Sequence, residues 1–172
     1  MADHRHLLTA NLELSVPDRD HDVEALFRIW SDPASWKHAP ELRHLEPSTT
    51  ADWLNRTVAR WERDGLSYWT VRRRDTGEVI GSGGASRHIT GSWNLLWRID
   101  TSQRRRGFAT EIGRAAIAAA VAVDDSVPVI AWIRSSNTAS RRVAIRLGLI
   151  EHSERDDKGN GVIRIPYADR AI

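Results

Sequence analysis

Leu95, Trp97 and Ile99 alternate with Asn94, Arg98 and Asp100, the period-two pattern of a strand. From Phe108 the period changes: Phe108, Ile112, Ala115, Ala116, Ala119 and Val123 recur at helical spacing, with mostly Ala or polar residues between them. The same reading runs along the whole chain. Residues 1–6 read as a loose tail, and residues 7–172 as one domain. Residues 8–16 alternate as a first strand, closed by Pro17-Asp18. Residues 20–30 form a helix with Val23, Leu26, Phe27 and Trp30 on one face and Asp20 as its N-cap. Pro33, Pro40 and Pro47 break residues 32–47 into irregular chain. Leu54, Val58 and Trp61 stripe a second helix over residues 49–64, ended by Gly65.

Residues 67–73 and 79–86 then read as strands joined by the turn Asp75-Thr76-Gly77, and residues 93–101 as a third. No helix follows Gly81-Ser82-Gly83-Gly84, so these glycines mark a bulge or a close backbone approach and not a nucleotide loop. Residues 127–133 are almost continuously apolar, as in a buried strand. Residues 137–147 form a helix ended by Gly148, and residues 149–155 and 162–167 a closing hairpin around the polar loop 156–161. That order predicts an α/β single domain with a mixed sheet.

Composition narrows the function classes. The chain has 172 residues, 41% hydrophobic and 28% charged, which is ordinary for one globular domain. A net charge of +2 gives no global basic field, so DNA is not an expected partner. Basic character is local, at residues 72–74, 104–106 and 141–142. With no cysteine there is no disulfide, no thiolate metal site and no cysteine nucleophile. There is no metal motif, no apolar signal region in MADHRHLLTA, and residues 115–123 are too short a run for a bilayer. The expectation is a cytoplasmic protein with no metal and no membrane contact.

The chemistry is concentrated where the strand over residues 93–101 feeds the helix at Phe108. Between them lies Arg104-Arg105-Arg106-Gly107-Phe108-Ala109. The first N–H groups of a helix lack intrahelical acceptors, and the helix dipole is positive there. Gly107 allows a backbone conformation that a Cβ penalises, so the segment is suited to a pyrophosphate. It is not a P-loop, because the only lysines, Lys37 and Lys158, lie elsewhere. It is not a dinucleotide fingerprint either, because only Gly107 and Gly113 occur here.

The spacing R-x-x-G-x-A, carried by Arg104, Gly107 and Ala109, resembles the acetyl-CoA loop of the GCN5-related N-acetyltransferases (GNAT). A second segment, Asn137-Thr138-Ala139-Ser140 with Ala144-Ile145-Arg146-Leu147-Gly148-Leu149, is similar to that family's N-x-x-[AS]…[KR]-L-G-[FL] helix. The two motifs stand in the family's order, about 30 residues apart with a strand pattern between. Thr110-Glu111 and Ser140 further resemble the ribosomal-protein N-terminal acetyltransferase (RimJ/RimL-like) branch, and the likeness spans roughly residues 10–168.

The resemblance implies a GNAT-like fold, with a mixed, mostly antiparallel central sheet flanked by helices. It also implies acetyl-CoA as co-substrate and direct attack of a primary amine, from a protein N-terminus or a small molecule, in a ternary complex. Homodimers are common among such proteins. Trp97, Ile99 and Thr101 would flank the pantetheine, with a strand N–H near Ile99 polarising the thioester carbonyl. Arg104, Arg105, Arg106, Gly107, Phe108, Ala109 and Thr110 would hold the pyrophosphate, and Asn137 and Ser140 would lie near the pantetheine and the sulfur.

The family's frequent tyrosine acid is replaced by Ala144, leaving Ser140 to serve the leaving thiolate; equally, Asn137 is an ordinary N-cap with Ser140 in the first helical turn. The branch's strand glutamate is replaced by Asn94. Asp100 is then the nearest carboxylate, either a base or a partner for the arginines, and His38, His44 and His88 are undistinguished alternatives. Trp30, Trp36, Trp53 and Trp61 read mostly as core, with Trp36 as the wall of an acceptor pocket. Two rival readings stand beside the enzyme: a CoA-binding module without catalysis, and an RNA- or ribosome-binding protein using the arginine patches.

Overall fold

A computed structural model describes residues 3–172, apart from the Asn160 side chain. Its strands are β1 (His6–Leu8), β2 (Leu12–Ser15), β3 (Tyr68–Arg73), β4 (Val79–Arg87), β5 (Trp93–Ile99), β6 (Val129–Arg134), β7 (Ile150–Glu151) and β8 (Arg164–Ala168). Its α-helices are α1 (Val23–Trp30), α2 (Pro47–Asp64), α3 (Phe108–Val123) and α4 (Thr138–Arg146). The strands form one sheet in the order β1-β2-β3-β4-β5-β6-β8-β7. Every neighbouring pair is antiparallel except β5 and β6. No helix among the described residues is long and apolar enough to cross a membrane.

The sheet alternates sides as its period requires. Ser82 accepts a hydrogen bond from the Trp30 indole of α1, whereas a Cβ at Gly83 would meet Ile112 of α3. On β5, Leu96 packs with the α1 cluster of Leu26, Ile29, Trp30 and Trp36, whereas Leu95 and Ile99 join the core that holds Phe108, Ile112 and Ala116. Helices α1 and α2 thus cover one face, and α3 and α4 the other. The glycine-rich β4 is a close approach: a Cβ at Gly81 would stand 2.0 Å from the Arg98 carbonyl oxygen, and one at Gly83 would stand 2.7 Å from that of Leu96.

Four boundaries differ from the sequence reading. The first strand is two, turned back on itself at residues 9–11, where Thr9 N donates to Leu12 O at 2.8 Å. His6 already belongs to β1, and Trp69 Nε1 donates to His4 O at 2.8 Å, so these residues are tied to the sheet; Met1 and Ala2 lie outside the described residues. Helix α1 starts at Val23, not beside Asp20. Asp18 gathers the N–H groups of Asp20 and His21 into a turn first, and the N-cap Asp22 sends its carboxylate to Thr70 (2.6 Å) and Arg72 on β3. The closing hairpin is shorter than expected. Beyond Glu151 the chain coils through a 3₁₀ turn, Ser153–Arg155, and β8 inserts between β6 and β7.

The parallel junction positions the site. β5 and β6 pair only at Trp93↔Val129 and Asn94↔Ile130. β5 then follows β4 along its length, while β6 follows β8. The two strands therefore part after their second residues, leaving facing backbone edges without a partner strand.

Candidate active site

A cleft of about 830 Å³ fills the gap where β5 and β6 separate. Trp97 and Ile99 line it from β5, Ala131 and Ile133 from β6, and Asn137 and Ser140 from the start of α4. Its end is closed by Arg104, Arg105, Gly107, Phe108, Ala109 and Thr110, at the N-terminus of α3.

That end is built to hold an anion. Gly107 is the N-cap of α3 with φ +83°, and Arg105 has φ +65°, the one positive φ at a non-glycine among the described residues. Such alternation gathers successive N–H groups into one concavity. The backbone N–H groups of Arg104, Arg105, Arg106, Gly107, Phe108 and Ala109 have no acceptor within the chain among the described residues; Thr110 N is the first to be satisfied, by Gly107 O at 3.0 Å. No Cβ-sized obstacle stands within 4 Å of Gly107, so its requirement is conformational. Glu111 fixes the turn from behind. Its carboxylate accepts from Thr9 Oγ1 at 2.5 Å, Asn11 N at 2.7 Å and Asn11 Nδ2 at 3.0 Å. Burial acts to raise its pKa, but these hydrogen bonds prevail and hold it below the usual glutamate value.

At the start of α4, Asn137 is the N-cap, its side chain accepting from Ser140 N at 3.1 Å. The Ser140 hydroxyl faces the cleft and accepts from Trp97 Nε1 at 3.3 Å. Gly113 lets α4 seat against α3: a Cβ there would stand 2.4 Å from Leu147 Cδ1.

Three expected site residues stand apart from the lining. Asp100 caps the 3₁₀ turn Thr101–Gln103, accepting from Ser102 N at 2.9 Å and Ser102 Oγ at 2.8 Å. Thr101 Oγ1 donates to Asp32 Oδ2 at 3.0 Å, and Arg106 is exposed. Asn94 Nδ2 donates to the Tyr68 hydroxyl at 3.0 Å, and burial raises that phenol's pKa, with the Asn94 bond opposing. Of the histidines, His38 lines the cleft, His88 sits at the β4–β5 turn bonded to Thr90, and His44 is buried against Trp30, 4.7 Å between ring centroids. Burial, then Arg98 and Arg56, lowers the His44 pKa, so the ring is neutral.

The cleft's charge extends beyond the arginine patches at residues 104–106 and 141–142. Lys37, Arg98, Arg134 and Arg164 line it together with Arg105, Arg142 and Arg146, and Arg104 crosses from the α3 loop to Ser35 Oγ at 3.3 Å; none of the lining residues is Asp or Glu. Arg98 lies on Trp36, its Cζ 3.5 Å from the ring centroid, and its Nη1 donates to Ser35 O at 2.7 Å. Burial, with Arg104 nearby, pulls its pKa down to about 10, which leaves it charged at neutral pH. Arg98 Nε, Gln103 Oε1 and Trp132 Nε1, all on cleft-lining residues, are shut from solvent without a partner. The period-two pattern already set Arg98 on the face opposite Trp97; its partial cover depends on Trp36, which packs there from a distant turn.

The family model for the acetyltransferase (GNAT) domain matches residues 11–150. No curated protein matches the chain. Among solved structures, an acetyltransferase from Agrobacterium tumefaciens is 22% identical with a TM-score of 0.80, covering 96% of this chain and 94% of its own. RimL, a ribosomal L7/L12 alpha-N-protein acetyltransferase in complex with coenzyme A, is 18% identical with a TM-score of 0.76, covering 96% of this chain and 97% of its own. A ribosomal-protein alanine acetyltransferase from Vibrio fischeri is 14% identical with a TM-score of 0.72, covering 95% of each. At these identities the likeness is one of fold. The family model, over residues 11–150, decides the family: the chain belongs to the GNAT acetyltransferases, enzymes that draw their acetyl group from acetyl-CoA.

Proposed function

We propose that the chain is an N-acetyltransferase of the RimJ/RimL-like branch that acetylates a primary amine by direct attack in a ternary complex. One observation carries this reading: the row of unpaired N–H groups from Arg104 to Ala109 closes the cleft opened by the parting of β5 and β6. The row suits a pyrophosphate. The unpaired edge of β5 past Asn94 suits the amides of a pantetheine arm, which hydrogen-bond as an added strand does. Acetyl-CoA, when bound, supplies an activated acetyl group and a sulfur leaving group.

The residues divide the remaining work. Arg104, Arg105, Gly107, Phe108, Ala109 and Thr110 bind the phosphates, with Arg106 lending charge from outside the lining. Trp97 and Ile99 lie along the arm, and Thr101 holds the approach to the loop through Asp32. Asn137 orients the first turn of α4. Ser140 Oγ, its lone pair engaged by Trp97 Nε1, keeps its O–H to hydrogen-bond to the departing sulfur, and the proton that the sulfur takes through it is replaced from the water that receives the amine proton. Asp100 stands outside the lining, its Oδ1 accepting twice from Ser102, so the base is not assigned to it in this reading. Water takes the amine proton, with His38 the one imidazole on the wall, and the cationic lining favours the neutral amine. Trp36 walls the acceptor side.

The test is release of free CoA from acetyl-CoA across a panel of peptide N-termini and small amines, read with a thiol reagent. The chain has no cysteine, so the protein contributes no background. Acceptor-dependent thiol release supports the reading, and its absence across the panel rejects it.

A further inference from the structure

The cations of the cleft fall into two groups with different duties. Arg105 belongs to the loop that carries the free N–H groups, and Arg142 and Arg146 to α4, so these three stand with the anion cradle; Arg104 leaves the same loop but bridges the two sides, its Nη2 donating to Ser35 Oγ at 3.3 Å. Arg98 stands apart from the cradle. Its side chain leaves β5 toward α1, on the face opposite Phe108, and lies between Trp36 (3.5 Å) and Trp30 (5.3 Å).

On that face Arg134 is paired with Glu41 and Arg164 with Asp157. Arg98 and Lys37 have no ion-pair partner among the described residues. Arg98 spends Nη1 on a carbonyl, and Nε is left without an acceptor. Were the β5–β6 register to continue, Leu96 would face Trp132 and Arg98 would face Arg134. Trp132, whose indole N–H is also unpartnered, thus belongs to the same mouth.

A half-buried guanidinium without a counter-ion, and two donors, Arg98 Nε and Trp132 Nε1, shut from solvent without acceptors, are costly arrangements that a bound anion relieves. The same wall repels an ammonium ion that brings no negative charge. We propose that the acceptor is a primary amine that carries its own carboxylate, received by Arg98 and Trp132 on the α1 side of the cleft; this rests on the acetyltransferase reading above. A free amino acid and a peptide with an acidic side chain near its N-terminus share this chemistry. Trp36, with Trp30 further off, holds Arg98 in place by cation–π contact.

The test titrates the CoA-loaded protein calorimetrically with matched pairs: glycine against glycinamide, β-alanine against β-alaninamide, and the C-terminal amides of Glu-Ala-Ala and Gln-Ala-Ala. In at least one pair the carboxylate is expected to bind about tenfold or more tightly than the carboxamide, as for hydrogen bonds to a charged group. The amino-acid and peptide arms identify which source is used. Arg98→Met, which keeps the stem against Trp36, is expected to close that gap, and Trp132→Phe to narrow it should the Arg98 variant fold poorly. Carboxylates that bind no better than their carboxamides, or no binding by any, overturn the proposal. Acetyl-CoA bound by the same preparation shows that the acetyltransferase reading survives such a failure, and its loss shows that the reading itself has failed.

Discussion

The indole nitrogen of Trp97 lies 3.3 Å from the hydroxyl oxygen of Ser140, joining β5 to α4 at the cleft. The contact determines which way the serine proton points. With one lone pair held by the indole, the O–H is free to turn toward the cleft. Ser140→Ala is expected to lower kcat about hundredfold or more, within the roughly 10²–10⁴-fold range of a general acid. The acetyl-CoA Kd should move little, and steady-state kinetics beside calorimetry separates the two. Trp97→Phe removes the N–H and is expected to lower kcat less. The double variant should be no slower than Ser140→Ala alone, because the indole acts through the serine.

Gly83 tests the packing that brings β5 against β4 and α3. A Cβ there would stand 2.6 Å from Ile112 Cγ2 and 2.7 Å from the Leu96 carbonyl oxygen, and the second is backbone that cannot move aside cheaply. Gly83→Ala is expected to destabilise by ~1–3 kcal/mol, the range of overpacked cores. Urea unfolding with an unchanged m-value measures it.

His44 gives stability a pH dependence. Burial lowers its folded pKa beneath the unfolded value near 6.5, so the unfolded chain binds the proton more readily. Its contribution is full above pH 6.5 and is lost as the pH falls through the lowered folded pKa. Thermal unfolding followed from pH 7.5 downward should show Tm falling below 6.5, and His44→Phe should flatten that part of the profile. A slope unchanged in the variant assigns the dependence to another group.

Much of this fold is legible in the order of residues, because helical and period-two repeats depend on one segment at a time. Phe108 opens α3 where the period changes, and Gly65, with φ +72°, ends α2 where a helix stop was expected. The glycines of β4 read as a close approach, because a glycine run with no helix after it has few other uses. What escaped depends on distant partners. Asp20 and Asp22 look alike as caps, and only the presence of Thr70 and Arg72 across the sheet makes Asp22 the buried one, 1% exposed. Arg98 is an ordinary strand polar residue until Trp36 covers it. Asp100 looks free until Ser102 occupies it. The gap between β5 and β6 has no sequence signature, since each strand follows a different neighbour.

The most direct test of the account is calorimetric titration of the protein and its Gly107→Val variant with acetyl-CoA. Gly107 holds φ +83° with nothing within 4 Å, so valine disturbs the backbone of the cradle and not its surroundings. A β-branched residue resists that conformation by ~1–2 kcal/mol. The wild type is expected to bind at micromolar concentration and the variant at least about tenfold more weakly, with the far-UV spectrum unchanged. Equal affinity in the two proteins, or no binding by the wild type, would contradict the placement of the cofactor at Arg104–Ala109.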